Sequence, residues 1–297
     1  MYPAPFNYHR AESLDDALRV LDRSGGDAII LAGGQSLIPM MKLRMGEFPQ
    51  LVDIGRLKDL SYIDQRGDAL HIGALARHAQ IAASDAAENY PILKDVAGGI
   101  ADVQVRTMGT IGGGISIADA SGCWPSGLRT MGATVVATSP GGSRQIPIAE
   151  FILGAYDTCL QHNEIVTEIQ IPVPQDKAGA AYVAFKRSAS AYPTVAAGVM
   201  LSMDGDTCRR GQIVLGGAGS APVCSAEADA LLSGQTVNQE LLAQAAEAVV
   251  AASAPPPDSR GSESFKRAML KSLVVEAGQR ALGRANGEKI KGGHRYA

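Results

Sequence analysis

Ala32-Gly33-Gly34-Gln35-Ser36 and Thr110-Ile111-Gly112-Gly113-Gly114 are the two stretches whose reading decides the fold. The first follows the apolar run Ala28-Ile29-Ile30-Leu31, and the second follows the polar segment Asp102 to Thr107, so each lies where the chain leaves one element for another. Glycine at such a point lets backbone approach a ligand closely or adopt positive φ, and a nest of bare N–H groups favours anionic oxygen. Either stretch alone reads equally well as a tight turn. The pair, with these flanks, reads as a two-sided clamp for a diphosphate.

Around the clamp the chain has room for two domains. It has 297 residues, 46% of them hydrophobic, with a mean hydropathy of +0.03, which is the composition of ordinary packed cores. Net charge is −3, and apart from the short C-terminal tail the Lys and Arg are dispersed, so no basic face invites nucleic acid. No apolar run approaches the ~18 residues of a membrane span, and the start, Met1 to Phe6, lacks the pattern of a secretion signal. A cytoplasmic protein with no membrane span is the expectation. Cys123, Cys159, Cys208 and Cys224 form no C-x-x-C pair, and His9, His71, His78, His162 and His294 form no metal-binding grouping. The five histidines read as surface or core residues, and no metal is expected in this chain.

Local patterns place the elements. Ser13 can cap a helix whose apolar residues Leu14, Ala17, Leu18 and Leu21 fall on one face, with Asp15 and Asp16 in its first turn and Gly25-Gly26 after it. A strand Ala28–Leu31, a helical turn led by Pro39 and a strand Leu51–Ile54 complete a first subdomain, residues 1–55. A second, residues 56–176, opens with a hairpin over Ser61 to Gly73. It continues with helices near Arg77–Ala83 and Tyr90–Gly98, the second glycine stretch as a loop, and a helix over Ala118 to Met131 that Pro125 interrupts. Strands near Thr134–Thr138, Ser143–Pro147 and Glu164–Ile171 follow. Pro172 to Gly179 reads as the boundary to a C-terminal domain over residues 180–285, with strands Ala181–Arg187, Val195–Met203 and Cys208–Gly216 and helices Ala226–Leu232, Gln239–Ala252 and Ser264–Ala285. Ala254 to Asp258 reads as a rigid extended connection, and the polar tail 286–297 as a fraying end.

Some chemistry is excluded. No G-x-G-x-x-G follows a strand, no G-x-x-x-x-G-K-[ST] is present, and there is no G-x-S-x-G elbow, so a Rossmann domain, a P-loop hydrolase and an α/β-hydrolase are disfavoured. The residues alone leave a nucleotide cofactor of unspecified identity.

Pro5-Phe6-Asn7-Tyr8-His9-Arg10, Leu31 to Pro39, Leu51-Val52-Asp53-Ile54, Gln104-Val105-Arg106, Gly109-Thr110-Ile111-Gly112-Gly113 and Pro257-Asp258-Ser259-Arg260-Gly261-Ser262 occur in an order that resembles the FAD-binding medium subunit of the molybdenum hydroxylases, the carbon monoxide dehydrogenase and xanthine dehydrogenase family. The resemblance implies an α+β protein: a two-subdomain PCMH-type FAD-binding fold, then a small C-terminal domain of antiparallel sheet plus helices. It implies FAD contacts at Ala32, Gly33, Gly34, Gln35, Ser36 and Leu37 in the first segment and at Gly109, Thr110, Ile111, Gly112, Gly113, Gly114 and Ser116 in the second. Ile30 and Leu31 match positions on the adenosine side, and Val166 a position near the rings that is also ordinary strand core. Lys186 matches a lysine near the flavin N1/C2 edge, and Tyr192 an aromatic residue that can shield one flavin face. Two positions depart from the pattern: Gly114 stands where Asn is common, and Cys123 where a carboxylate is common, with Asp119 or Ser121 as its possible substitute.

The implied function is electron transfer with no catalytic side chain. A small subunit with two [2Fe-2S] clusters and a large subunit with the molybdenum cofactor are the implied partners, in a dimer of heterotrimers, with O2, NAD+ or a quinone as external acceptor. A self-contained flavin oxidoreductase would require a convergent acid/base set, which the sequence does not show. A cofactor-free assembly subunit is the other alternative, favoured only by Gly114 and Cys123.

Overall fold

The structure is a computed structural model that describes residues 2–174, 177–292 and 295–296. Among the described residues the strands form three larger sheets, each with its own helical cover, and a two-stranded ribbon of Ile152–Gly154 with Asp157–Thr158. The first is parallel, in the order Asn7–Arg10, Gln50–Asp53, Ala28–Leu31. Helix Leu14–Arg23 packs on it: Ser13 Oγ accepts from Asp16 N–H, and Ala17, Leu18 and Leu21 bury against Val52 and Ile54. Leu31 ends its strand by accepting from Ile54 N–H. The chain therefore enters Ala32 to Ser36 at the carboxyl end of a parallel strand, where ligands of open parallel sheets bind.

The second sheet is antiparallel, in the order Ile63–Arg66, Ala69–Gly73, Ile165–Pro172, Thr134–Ser139, Gly142–Pro147. Its hairpin turns at Gly67, whose φ of +61° suits glycine. Helices His78–Ala82, Asp85–Asn89, Pro91–Gly98, Val103–Met108, Ile111–Ser116 and Cys123–Thr130 cover it over a core that includes Ile72, Val135, Ile169, Phe151 and Trp124. Two expectations change here, and a segment read only as polar takes a form. Asp102 to Thr107 is mostly helix, capped by the Asp102 carboxylate accepting from Val105 N–H. The second glycine stretch is also a helix, Ile111–Ser116, capped by Thr110. Residues Ala118 to Gly122 are not helical; the helix begins at Cys123, which puts Pro125 in its first turn, where a proline costs no hydrogen bond.

The third sheet has the order Gln235–Thr236, Thr207–Gly216, Val195–Asp204, Ala178–Lys186, Arg295–Tyr296. Helices Ala226–Leu232, Gln239–Ala251 and Glu263–Ala285 lie against it. Its other face meets helix Cys123–Thr130: Gly198 abuts Thr130, Gly216 abuts Ser126, and the Ser126 and Tyr182 hydroxyls lie 3.0 Å apart. A buried ion pair, Asp95 with Arg284, ties helix Pro91–Gly98 to the long last helix. The tail does more than fray, since the backbone of Arg295–Tyr296 runs parallel to Phe185 and Lys186 as an edge strand. Gln175, Asp176 and His294 lie outside the described residues.

Candidate functional site

A cleft of about 490 Å³ runs between the parallel sheet, the second-sheet helices and the Lys186 end of the third-sheet strand Ala178–Lys186. Its walls contain Ile30, Leu31, Ala32, Gly33, Gly34, Gln35, Ser36 and Leu37; Gly109, Thr110, Gly112, Gly113, Gly114 and Ser116; and Asp119, Cys123, Val166, Lys186 and Tyr192. Ser121, named from the sequence as an alternative to Asp119, is not in this wall, and neither is Ile111. The Ile111 side chain is fully buried in the core, and its N–H donates to Ala76 O.

The two glycine segments touch. A Cβ on Gly33 would overlap the Met108 carbonyl oxygen and come within 2.9 Å of Gly109 Cα, so this contact admits no side chain. Their backbones, however, play different parts. Among the described residues no hydrogen bond occupies the N–H groups of Gly33 to Leu37, and the Ser36 hydroxyl makes no cap bond. In the second segment Ile111 and Gly112 donate to Ala76 O and Ala74 O, Gly113 to Thr110 Oγ1 at 3.2 Å, and Gly114 to Thr110 O. The second segment is therefore not a nest of bare N–H groups. It supplies bare glycine surface and the Thr110 hydroxyl, whose oxygen accepts from Gly113 and whose proton can still be donated.

Lys186 is fully buried and reaches the cleft wall, with Nζ donating to Gly99 O. Burial lowers its pKa, and the Arg106 guanidinium acts in the same sense, against the opposing influence of Cys123. Cys123 is buried beneath the cleft, and burial pushes its thiol up, which keeps it protonated and uncharged. The carboxylate near it is Asp119, which accepts from Ser121 N–H at 2.8 Å and from Tyr156 OH at 3.2 Å. Tyr192 is half-exposed at the mouth. Val166 serves both readings, being buried strand core and cleft wall together.

Sequence reasoning passed over two residues of this wall, His78 and Trp124. Trp124 Nε1–H donates to His78 Nδ1 at 3.1 Å, and Trp124 Cδ1 lies 2.7 Å from where a Cβ on Gly114 would stand. Glycine at 114 is thus what the indole requires. Burial, with a smaller effect from Arg106, pushes the His78 pKa down to about 4 from its ordinary 6.5.

The chain matches the family described as the FAD binding domain in molybdopterin dehydrogenase over residues 4–174, and the CO dehydrogenase flavoprotein C-terminal domain over residues 180–281. The carbon monoxide dehydrogenase medium chain of Afipia carboxidovorans is 37% identical over 96% of this chain and 99% of its own. The chain belongs to the molybdenum hydroxylase medium-subunit family. A second medium-subunit relative, subunit alpha of the 6-hydroxypseudooxynicotine dehydrogenase complex of Paenarthrobacter nicotinovorans, is 35% identical over 97% of this chain and 98% of its own. Among solved structures, carbon monoxide dehydrogenase from Hydrogenophaga pseudoflava superposes with a TM-score of 0.92 at 35% identity, covering 96% of this chain and 99% of that one. Quinoline 2-oxidoreductase from Pseudomonas putida 86 gives 0.90 at 30% identity, covering 96% and 99%. This medium subunit is therefore an FAD-binding α+β protein of the PCMH-type fold, and no helix among its described residues is long and apolar enough to cross a membrane.

His78 gives this medium subunit a pH signature. Its folded pKa lies below its unfolded value, so between about 6.5 and about 4 the unfolded chain binds more protons and stability falls as pH falls. The full difference corresponds to about 3 kcal/mol. Urea unfolding across pH 4.5 to 7.5 is expected to show this slope in the wild type and its loss in His78→Gln. An equal slope in both would assign the titration to other groups.

Proposed function

We propose that the cleft holds FAD and that the chain conducts electrons between the [2Fe-2S] clusters of a small partner subunit and an external acceptor. The observation that carries the reading is the junction of the two glycine segments, with free N–H groups on one side and bare glycine surface on the other. Those N–H groups and the Ser36 and Thr110 hydroxyls fit the oxygens of a diphosphate. Ile30, Leu31 and Val166 offer apolar wall to rings, and Tyr192 excludes water at the mouth. FAD bound there would supply a centre that takes electrons one or two at a time. Lys186 favours added negative charge within the cleft, because its ammonium is fixed by Gly99 O and shielded from water.

No residue of this chain is assigned a proton transfer, and the substrate is left to the large, molybdenum-containing subunit. The relatives support that division: medium subunits of similar sequence belong to dehydrogenases named for carbon monoxide, 6-hydroxypseudooxynicotine and glyceraldehyde. We assign residues 1–176 to FAD binding and 180–285 to the C-terminal domain. The assembly is a cytoplasmic dimer of heterotrimers with O2, NAD+ or a quinone as acceptor.

The complex purified with its partner subunits tests this. After anaerobic reduction, addition of one acceptor at a time is expected to restore the oxidised flavin spectrum with O2, NAD+ or a quinone, with the cluster absorbance recovering through the flavin. Clusters that reoxidise at an unchanged rate after FAD has been stripped would overturn the electron path. A chain that takes up no FAD at all would favour the assembly role.

A further inference from the structure

His78 opens the helix His78–Ala82 and is only 4% exposed, yet it forms part of the cleft wall. Its partner Trp124 carries an indole N–H, which can only donate. Because that donor meets His78 Nδ1, the neutral ring must hold its own proton on Nε2. The ring is neutral at ordinary pH because protonating it in this buried place, near Arg106, is unfavourable.

Nε2 lies against the second glycine segment, 2.7 Å from where a Cβ on Gly109 would stand. Gly109 is also the residue on which Gly33 of the first segment rests. The donor therefore stands beside the place where the two segments meet, in the cleft wall. No group among the described residues accepts from it, and Nε2 is not one of the buried atoms shut off from solvent, so its N–H is open to the cleft. Trp124 holds the ring in place from the other side, and it fits there only because residue 114 has no side chain.

We propose that His78 is a further cofactor-binding residue, its Nε2–H donating to a diphosphate oxygen at the glycine junction, and that Trp124 is the residue that positions it. The proposal rests on the reading of the cleft as an FAD site. It adds a neutral side-chain donor to a site otherwise built from backbone N–H groups and hydroxyls.

The full chain, freed of cofactor, should be titrated with FAD, with ADP, which carries the diphosphate without the flavin, and with riboflavin, which carries the flavin without the diphosphate. His78→Phe is expected to weaken FAD and ADP about tenfold, the effect of one hydrogen bond to a charged acceptor, and to leave riboflavin unchanged. His78→Gln, which keeps an N–H donor, is expected to recover most of that loss. Trp124→Phe, which keeps the ring but not the N–H, should weaken ADP without affecting riboflavin. ADP affinity within twofold of wild type in both His78→Phe and Trp124→Phe would overturn the proposal while leaving the FAD site intact. Equal losses for ADP and riboflavin would also overturn it, because they would report a damaged cleft. A wild-type chain that binds neither FAD nor ADP would overturn the reading of the cleft and the proposal with it.

Discussion

Replacing Asp95 with alanine is expected to lower the unfolding free energy by roughly 3–5 kcal/mol, the cost of leaving one member of a buried ion pair without its partner. Asp95 has no exposed side-chain surface, and the Arg284 side chain is 5% exposed. The guanidinium donates to both carboxylate oxygens, at 2.6 and 2.9 Å, and to Ala180 O at 2.7 Å, while the same carboxylate accepts from Tyr182 N–H at 3.1 Å. Removing the carboxylate thus leaves a buried cation without its counter-charge, still donating to the Ala180 and Ile290 carbonyls, and takes the carboxylate away from the Tyr182 N–H. The pair also joins the second subdomain to the last helix, so its loss should loosen the seat of the third sheet, whose strand Ala178–Lys186 ends with Lys186 at the cleft wall. Removing both charges together, as Asp95→Leu with Arg284→Met, is expected to recover most of the stability, because well-packed apolar pairs often match buried ion pairs. Urea unfolding of the single and double variants checks this. A single-variant loss under about 1 kcal/mol would show that water or a neighbouring group compensates the arginine.

What the sequence could reveal of this architecture follows from the range of the forces involved. Helix Leu14–Arg23 was legible because its cap and its apolar spacing are local, and the structure keeps both. Strand Asn7–Arg10 was not read as a strand, and its residues entered only as part of a family pattern, since it is a largely exposed edge without alternation. Ile111–Ser116 could not be read as a helix, because each of its consecutive glycines disfavours helix by about 1 kcal/mol relative to alanine. Tertiary packing overrides that preference: an added Cβ would stand 2.7 Å from Ala74 Cβ at Gly112 and 2.7 Å from Trp124 Cδ1 at Gly114. The small residues that make the helix improbable are the ones its surroundings demand.

The candidate site divides in the same way. The glycine segments, Lys186 and Tyr192 were found through motif and family pattern, and they line one cleft. His78 was not found, because its significance depends on an indole 46 residues away and no local spacing records that pairing. Reading Gly114 and Cys123 as weaknesses of the site also lacked this information. Gly114 makes room for Trp124, and beside Cys123 the Asp119 carboxylate still reaches the cleft wall.

Gly33→Ala is expected to abolish most FAD affinity while the chain remains folded. Gly33 does not need an unusual backbone angle; what it needs is the absence of a Cβ, which would overlap the Met108 carbonyl oxygen. That oxygen belongs to the backbone of Met108, the last residue of the helix Val103–Met108, and cannot swing aside as a flexible side chain can. The first segment must therefore move outward, and overpacking of this kind costs about 1–3 kcal/mol. Its free N–H groups move with it, away from Thr110 and the glycine face of the second segment, so the two halves no longer address one diphosphate. A loss of about 100-fold in affinity, or about 2.7 kcal/mol, is the expected size. Gly141→Ala is the control, because a Cβ there meets only Ser139 Oγ at 3.7 Å. FAD titration by fluorescence, with thermal unfolding of the same preparations, separates binding from folding. Wild-type affinity in Gly33→Ala would mean that the segments need not touch, and the diphosphate would then have to be sought away from their junction.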